Sequence, residues 1–334
     1  MKKQLGIPVA KRAGALVLAL ALAVIFAACG ASPGSSSTSS GDSSAPPQSA
    51  SQPQSVSPSV PEPPEAVLGI GSVGADNYPR VDGSTANLPL MAEIYSTVCG
   101  VPLADAETLV AASRTADAWD GLVAGDSDLL LVYEAPVWTG AKIRSSGVEL
   151  EIYPIGVDAL VFLTNRDNPV NGLTADQLRS IYTGALTNWS EVGGANAEIA
   201  AFQRNEDSGS QAMFLKLLMG NTLPMEPRSE WFADGMIGLL EALSGFDGAA
   251  NSLGYSVYYY ASLMNENPQL KFLEVDGVAP TAETIADGSY PFTNEFFVVI
   301  RADEPLNSPA RILRDWILGA QGNEALLRAG YIPA

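Results

Sequence analysis

From about Ala66 to the C-terminus, short unbroken apolar runs alternate with stretches in which apolar residues return every three or four positions. Leu129-Leu130-Leu131-Val132-Tyr133, Ala159-Leu160-Val161-Phe162-Leu163 and Phe296-Phe297-Val298-Val299-Ile300 read as strands. Leu88 to Thr97, Ala116 to Val123, Gln211 to Met219 and Ala310 to Leu318 read as helices. Thr174-Ala175-Asp176-Gln177 opens another, with a capping residue ahead of Leu178 and Ile181. Strands interleaved with helices predict an α/β fold, and the chain shows no internal repeat. Roughly 270 folded residues are many for one core, so two lobes are expected. The strands at 159–163 and 296–300 lie far apart in sequence, as two crossings between lobes would. The expected division is 66–157 plus 295–334 for one lobe and 158–294 for the other. Ligands in such folds sit where strand ends and helix starts face a crevice.

The first 65 residues follow neither pattern. Lys2, Lys3, Lys11 and Arg12 precede an apolar run from Ala13 to Ala28, too short to cross a bilayer. Residues 1–28 therefore read as a secretory signal peptide. The sequence Ala27-Ala28-Cys29-Gly30 resembles a bacterial lipobox, with Phe26 where Leu is usual. That resemblance implies that Cys29 is lipidated and becomes the new N-terminus. The stretch 29–65 is dominated by Ser, Pro, Gly, Gln and Ala and is expected to be a flexible tether. A lipid, a leash and a folded body form the layout of a receptor held at the outer face of the cell membrane.

Composition then removes several chemistries. The 334 residues include no histidine, which excludes a Ser-His-Asp triad, a Cys-His dyad and His-ligated zinc. Two cysteines, Cys29 and Cys99, cannot form a four-cysteine metal site or a disulfide framework. A formal net charge of −19 argues against nucleic acid as partner, and removing the leader takes away only positive charges. The acidic residues show no calcium-loop spacing, so no metal or cofactor is expected. Cys99 reads as a small hydrophobe, Tyr258-Tyr259-Tyr260 as filling at the edge of the core, and Asp126 and Asp128 as a turn into a strand. Trp189 is expected to pack over its own loop.

Three places join a turn residue, a hydroxyl and a helix start: Asp82-Gly83-Ser84-Thr85-Ala86, Ser113-Arg114-Thr115-Ala116 and Asp207-Ser208-Gly209-Ser210-Gln211. Helix N-termini present unpaired N–H groups and about half a positive charge, which suits an anion. Ser and Thr are also ordinary N-caps, so each site alone is open to that reading. Arg204, with Glu206 two residues on, adds a planar donor pair fitted to an oxyanion.

The run Arg204-Asn205-Glu206-Asp207-Ser208-Gly209-Ser210 resembles the Arg-x-x-x-Ser-Gly-Thr loop of the phosphate-binding proteins that feed bacterial ABC transporters. Asp82-Gly83-Ser84-Thr85 and Ser113-Arg114-Thr115 through Asp128 resemble that family's first and second anion loops. Asp128 to Pro136 resembles the strand and turn that follow. Asp167-Asn168-Pro169-Val170, Ile181-Tyr182-Thr183-Gly184, Asn188-Trp189-Ser190-Glu191-Val192-Gly193-Gly194 and Gly254-Tyr255 fit its later sections.

The resemblance implies a two-lobed type II periplasmic-binding-protein fold, a monomer without enzymatic activity, closing on inorganic phosphate and delivering it to ABC permease subunits with a cytoplasmic ATPase. It implies that Ser84, Thr85, Thr115, Ser208, Gly209 and Ser210 bind the anion through hydroxyls and backbone N–H groups. Arg204 would be the only cationic contact, supported by Glu206. Glu134 would take the place of an Asp that accepts the proton of hydrogen phosphate. Three other readings stay open: a sensor or scavenger that binds without delivering, a receptor for another tetrahedral oxyanion or a phosphate ester, and a serine hydrolase using Ser208 or Ser210 with Lys216 as base.

Overall fold

The apolar runs form the middle of one mixed sheet in a computed structural model that describes residues 69–245 and 249–334. The leader, Cys29 and the tether lie outside the described residues. In chain order the strands are β1 (Val81–Gly83), β2 (Leu129–Tyr133), β3 (Leu150–Asn165), β4 (Gly172–Leu173), β5 (Ala200–Ala201), β6 (Gln203–Arg204), β7 (Phe232–Ala233), β8 (Ser252–Val257), β9 (Leu270–Phe272), β10 (Glu274–Val275), β11 (Thr293–Arg301) and β12 (Ile332–Pro333). The main sheet runs β1-β2-β11-β3-β8-β5, with β9 and β12 also on β3, while β4 pairs with β10 and β6 with β7. Both α and β segments were legible, and the α/β class holds.

The long β3 organises this sheet. Its first part, Leu150 to Ala159, runs antiparallel to β11, and Leu160 to Asn165 runs antiparallel to β8 and β9. Burial changes along the strand in step with its partners. Ile152, Tyr153 and Pro154 are exposed, whereas every residue from Asp158 to Asn165 is buried. A strand covered on both faces needs apolar side chains at every position, which is why Ala159–Leu163 and Leu129–Tyr133 show no alternation. Under β3, Phe162 packs against Tyr182, Tyr255 and Phe292, and the Phe214 and Tyr255 rings stack at 4.4 Å. Each such fully buried side chain contributes roughly 1.5–3 kcal/mol.

The helices start where their capping residues stand. Thr174 and Gln177 form a reciprocal capping box for the helix Ala175–Tyr182. Ser208 caps Gly209–Met213, which widens into a π turn, Phe214–Met219, and ends at Gly220. Ser308 caps Pro309–Ile317. The helix Val137–Ser146 gave no signal in the sequence because it buries only Thr139 and so has no apolar stripe. No helix of the described residues is long and apolar enough to cross a membrane. Asp128 bonds Arg80 and Arg301 at the entry to β2, as a turn residue should. Trp189 reaches beyond its own loop, donating from Nε1 to the Asn251 carbonyl at 2.9 Å. Cys99 is half-buried and free.

Candidate functional site

Three chain segments and one arginine meet around a cavity of about 240 Å³. The first segment leaves β1 at Gly83. A Cβ there would lie 1.8 Å from the Leu131 carbonyl oxygen, so only glycine allows β1 to approach β2 this closely. Ser84 follows, buried, with its N–H on the Leu131 carbonyl at 3.1 Å and its Oγ accepting from the Tyr133 N–H at 3.2 Å. Thr85 opens a short 3₁₀ turn beside it.

The second segment is held by Asp82. Its carboxylate accepts the Ser113 N–H at 2.8 Å, the Ser113 hydroxyl at 2.5 Å and the Gly83 N–H at 2.7 Å. Arg114 comes next at φ 86°, ψ 167°, and Thr115 begins the helix Thr115–Ala124. That backbone region is essentially glycine's own, and an arginine there costs about 1–3 kcal/mol. The Thr115 hydroxyl lies 2.8 Å from that of Ser84.

The third segment is the Ser208 cap. The Ser208 Oγ accepts the Gln211 N–H at 3.3 Å and sits 2.9 Å from the Ser210 Oγ. Gly209 faces Thr115 across the cavity wall, and a Cβ on it would stand 2.7 Å from the Thr115 Oγ1. Two helix starts from distant parts of the sequence thus meet at Thr115 and Gly209, and a helix start has N–H groups without intrahelical partners.

Arg204 supplies the charge. It lies on β6 and is 6% exposed. Its Nε donates to the Ala233 carbonyl on β7 at 3.0 Å, Nη2 to the Asp234 carbonyl at 3.3 Å and Nη1 to the Ser210 hydroxyl at 3.4 Å. Among the described residues no carboxylate forms an ion pair with it. Burial lowers its basicity, with the neighbouring Arg114 charge acting in the same direction. A buried guanidinium bonded only to neutral oxygens costs several kcal/mol until an anion joins it.

Ser84, Thr85, Thr115, Arg204, Ser208, Gly209 and Ser210 all line this cavity. Three sequence expectations need correction. Glu134 is not in the lining: it is half-exposed and ion-paired with Lys216, whose ammonium also donates to the Asn294 Oδ1 at 3.2 Å. Glu206 does not support Arg204; it faces a neighbouring groove, and main-chain carbonyls hold the guanidinium instead. Arg204 is also not the only cation, because Arg114 lines the same cavity. Lys216, considered as a base, stands with Glu134 outside the cavity. Among the described residues no cluster of three potential ligands could hold a metal ion.

Sequence reasoning missed the floor of the site. Tyr133 and Tyr260 line it, together with Val257 and the carboxylates Asp117 and Asp207. Tyr260, which the sequence places at the core edge, is buried and lines the cavity as well. The Tyr133 hydroxyl donates to Asp158 Oδ2 at 2.6 Å. Asp158 is fully enclosed at the point where β3 changes partners, and its other oxygen accepts the Ala159 N–H at 2.7 Å and the Tyr259 N–H at 3.1 Å. Burial pushes its carboxyl up to about 6 in spite of those bonds. No spacing rule links Tyr133 to Asp158; only the pairing of β2, β11 and β3 brings them together.

A family model described as a PBP superfamily domain matches residues 71–318. The phosphate-binding protein PstS of Bacillus subtilis is 26% identical over 222 residues, covering 66% of this chain and 69% of that protein. PstS of Pseudomonas aeruginosa is 25% identical over 308 residues, covering 85% and 90%. Among solved structures, one from Clostridium perfringens, provisionally assigned as a phosphate ABC transporter substrate-binding protein and carrying phosphate, aligns with a TM-score of 0.61. It is 23% identical, over 77% of this chain and all of that one. An ABC-type phosphate transport receptor of Vibrio cholerae aligns with a TM-score of 0.56 at 18% identity, over 75% and 98%. At these identities the structural likeness establishes the fold, which is the type II periplasmic-binding-protein architecture.

Proposed function

The chain belongs to the PBP superfamily, and from that premise we propose that it captures inorganic phosphate in the cavity around Arg204 and delivers it to an ABC permease. One observation carries the ligand class: Arg204 is buried with neutral partners only, beside two converging helix starts. Such a site is stabilised by an oxyanion that accepts charge-assisted bonds from the guanidinium and further bonds from hydroxyls and N–H groups. The relatives named PstS are phosphate-binding proteins, which favours phosphate among oxyanions.

In this reading Ser84 and Thr115 turn their hydroxyls from each other toward the anion. Ser208, Gly209 and Ser210 wrap it at the helix start, and Arg204 pairs two of its oxygens. The lobes are 66–157 plus 295–334 and 158–294, a division supported by the change of partner in β3 between Ala159 and Leu160. Phosphate favours closure because the donors of both lobes then reach one anion. Lipidation at Cys29 would hold this monomeric receptor at the outer face of the membrane. No catalysis is proposed, since the chain lacks histidine and its candidate base, Lys216, is tied to Glu134.

Glu134's position favours one competing reading. The carboxylate expected to accept the proton of hydrogen phosphate, which sulfate lacks at neutral pH, does not line the cavity, so another tetrahedral oxyanion is a natural rival. Calorimetric titration of ligand-stripped protein with phosphate, arsenate and sulfate decides between them. Saturable phosphate binding with weak sulfate binding is expected; sulfate binding as tightly as phosphate would support the rival, and no heat with phosphate would overturn the proposal.

A further inference from the structure

We propose that Arg114 is a second cationic ligand contact beside Arg204. This rests on the phosphate reading above and adds a binding residue to it. Arg114 lines the same cavity as Arg204, and among the described residues its guanidinium forms no ion pair, although the chain carries 37 acidic residues. The exposed Arg114 and the buried Arg204 bring two like charges to one cavity; Asp117 and Asp207 line it as well, but among the described residues neither is ion-paired with either arginine, so an anion between the arginines relieves their repulsion. Such an anion accepts charge-assisted bonds from both arginines.

The backbone points the same way. Glycine would take φ 86°, ψ 167° without strain, so what arginine adds at this position is its side chain. The surroundings over-determine that conformation. Asp82 grips Ser113 by two bonds, Ser84 faces the Thr115 hydroxyl, and the Arg114 carbonyl accepts the Ala118 N–H at 2.9 Å. The loop is therefore fixed on both sides of Arg114, and its side chain leaves the main chain at the cavity wall. The Arg114 charge also adds to burial in lowering the basicity of Arg204.

The test uses ligand-stripped chain beginning at residue 29, titrated calorimetrically with inorganic phosphate, alongside thermal melts without ligand. Arg114→Gly is expected to weaken phosphate binding at least tenfold while the unliganded melting temperature stays level or rises, because strain is relieved. Arg114→Lys should recover part of the lost affinity, and Arg166→Ala, a surface arginine away from the cavity, should change neither quantity. Wild-type affinity in Arg114→Gly would overturn this inference alone. So would a loss of affinity matched by a fall in the unliganded melting temperature, which would make Arg114 structural. Failure of the wild-type protein to bind phosphate would overturn the functional reading, and this inference with it.

Discussion

The Glu134 carboxylate is ion-paired with the Lys216 ammonium, joining the end of β2 to the π turn behind the Ser208 cap. The two side chains are about equally exposed and lie outside the cavity around Arg204. A carboxylate paired with an ammonium outside the cavity is not placed to accept a proton from a ligand inside it.

Glu134→Gln should therefore leave the ratio of phosphate to sulfate affinity unchanged. An exposed pair of this kind contributes at most about 1 kcal/mol, so the melting temperature should move little, and less still in high salt. Calorimetry with both anions and a melt at two salt concentrations check this. A marked gain in sulfate affinity would return Glu134 to the site.

Removing Arg204 has a larger expected effect. Arg204→Ala deletes a charge-assisted contact worth roughly 1.5–3 kcal/mol, a loss of one to two orders of magnitude in phosphate affinity. The unliganded protein should not suffer in proportion, because a buried charge without a counter-ion disappears along with its bonds to two carbonyls. Titration and a ligand-free melt on the same preparation separate the two quantities.

The two glycines that permit close approach should behave differently. A Cβ at residue 83 would collide with the Leu131 main chain in the sheet, so Gly83→Ala should cost about 3 kcal/mol or more. A Cβ at residue 209 would crowd one side chain, standing 2.7 Å from the Thr115 Oγ1 and 3.5 Å from its Cβ, and would touch no main chain within that distance. Gly209→Ala should fold nearly as well as wild type but bind phosphate several-fold more weakly, since the two helix starts are pushed apart. Denaturant midpoints and phosphate titrations of both variants test the contrast.

Asp158 predicts a pH signature. Its carboxyl, ordinarily near 3.8, is raised by burial to about 6. Between those values the folded protein holds a proton that the unfolded chain has released. Stability from this group is therefore greatest at low pH, falls as pH rises from about 4 to 6, and is level above, the full change being on the order of 3 kcal/mol. The Tyr133, Tyr259 and Tyr331 hydroxyls around it are pushed upward and stay neutral across this window. Glu151, held down first by its bond to Arg314, acts in the opposite sense at lower pH. The difference between wild type and Asp158→Asn isolates the Asp158 part: the variant's stability should change less between pH 4 and 6. Parallel curves for the two proteins would mean that Asp158 is ionised throughout.

What the sequence determined by itself is local. Thr174 with Gln177, and Ser208 with Gln211, announce helix starts because a cap and the N–H it satisfies lie within one turn. Arg204 and Ser208-Gly209-Ser210 could be read as one site because seven consecutive residues hold both the charge and the helix start. Unbroken runs such as Leu129–Tyr133 are strands whose two covered faces leave no room for a polar position.

Tertiary structure decided which side chains enter the cavity. Successive side chains of extended chain point to opposite sides, so at the end of β2 two adjacent residues part ways, Tyr133 in the lining and Glu134 outside it. Arg114 stood inside a motif that was read for its hydroxyls, yet nothing in the order Ser-Arg-Thr reveals a backbone in glycine's region. That conformation exists because Asp82, 31 residues earlier in the chain, grips Ser113, and Ser84 meets Thr115. Contacts between residues so distant in sequence form only once the sheet has set its strands side by side, and they bring Arg114 and Arg204 to the wall of one cavity.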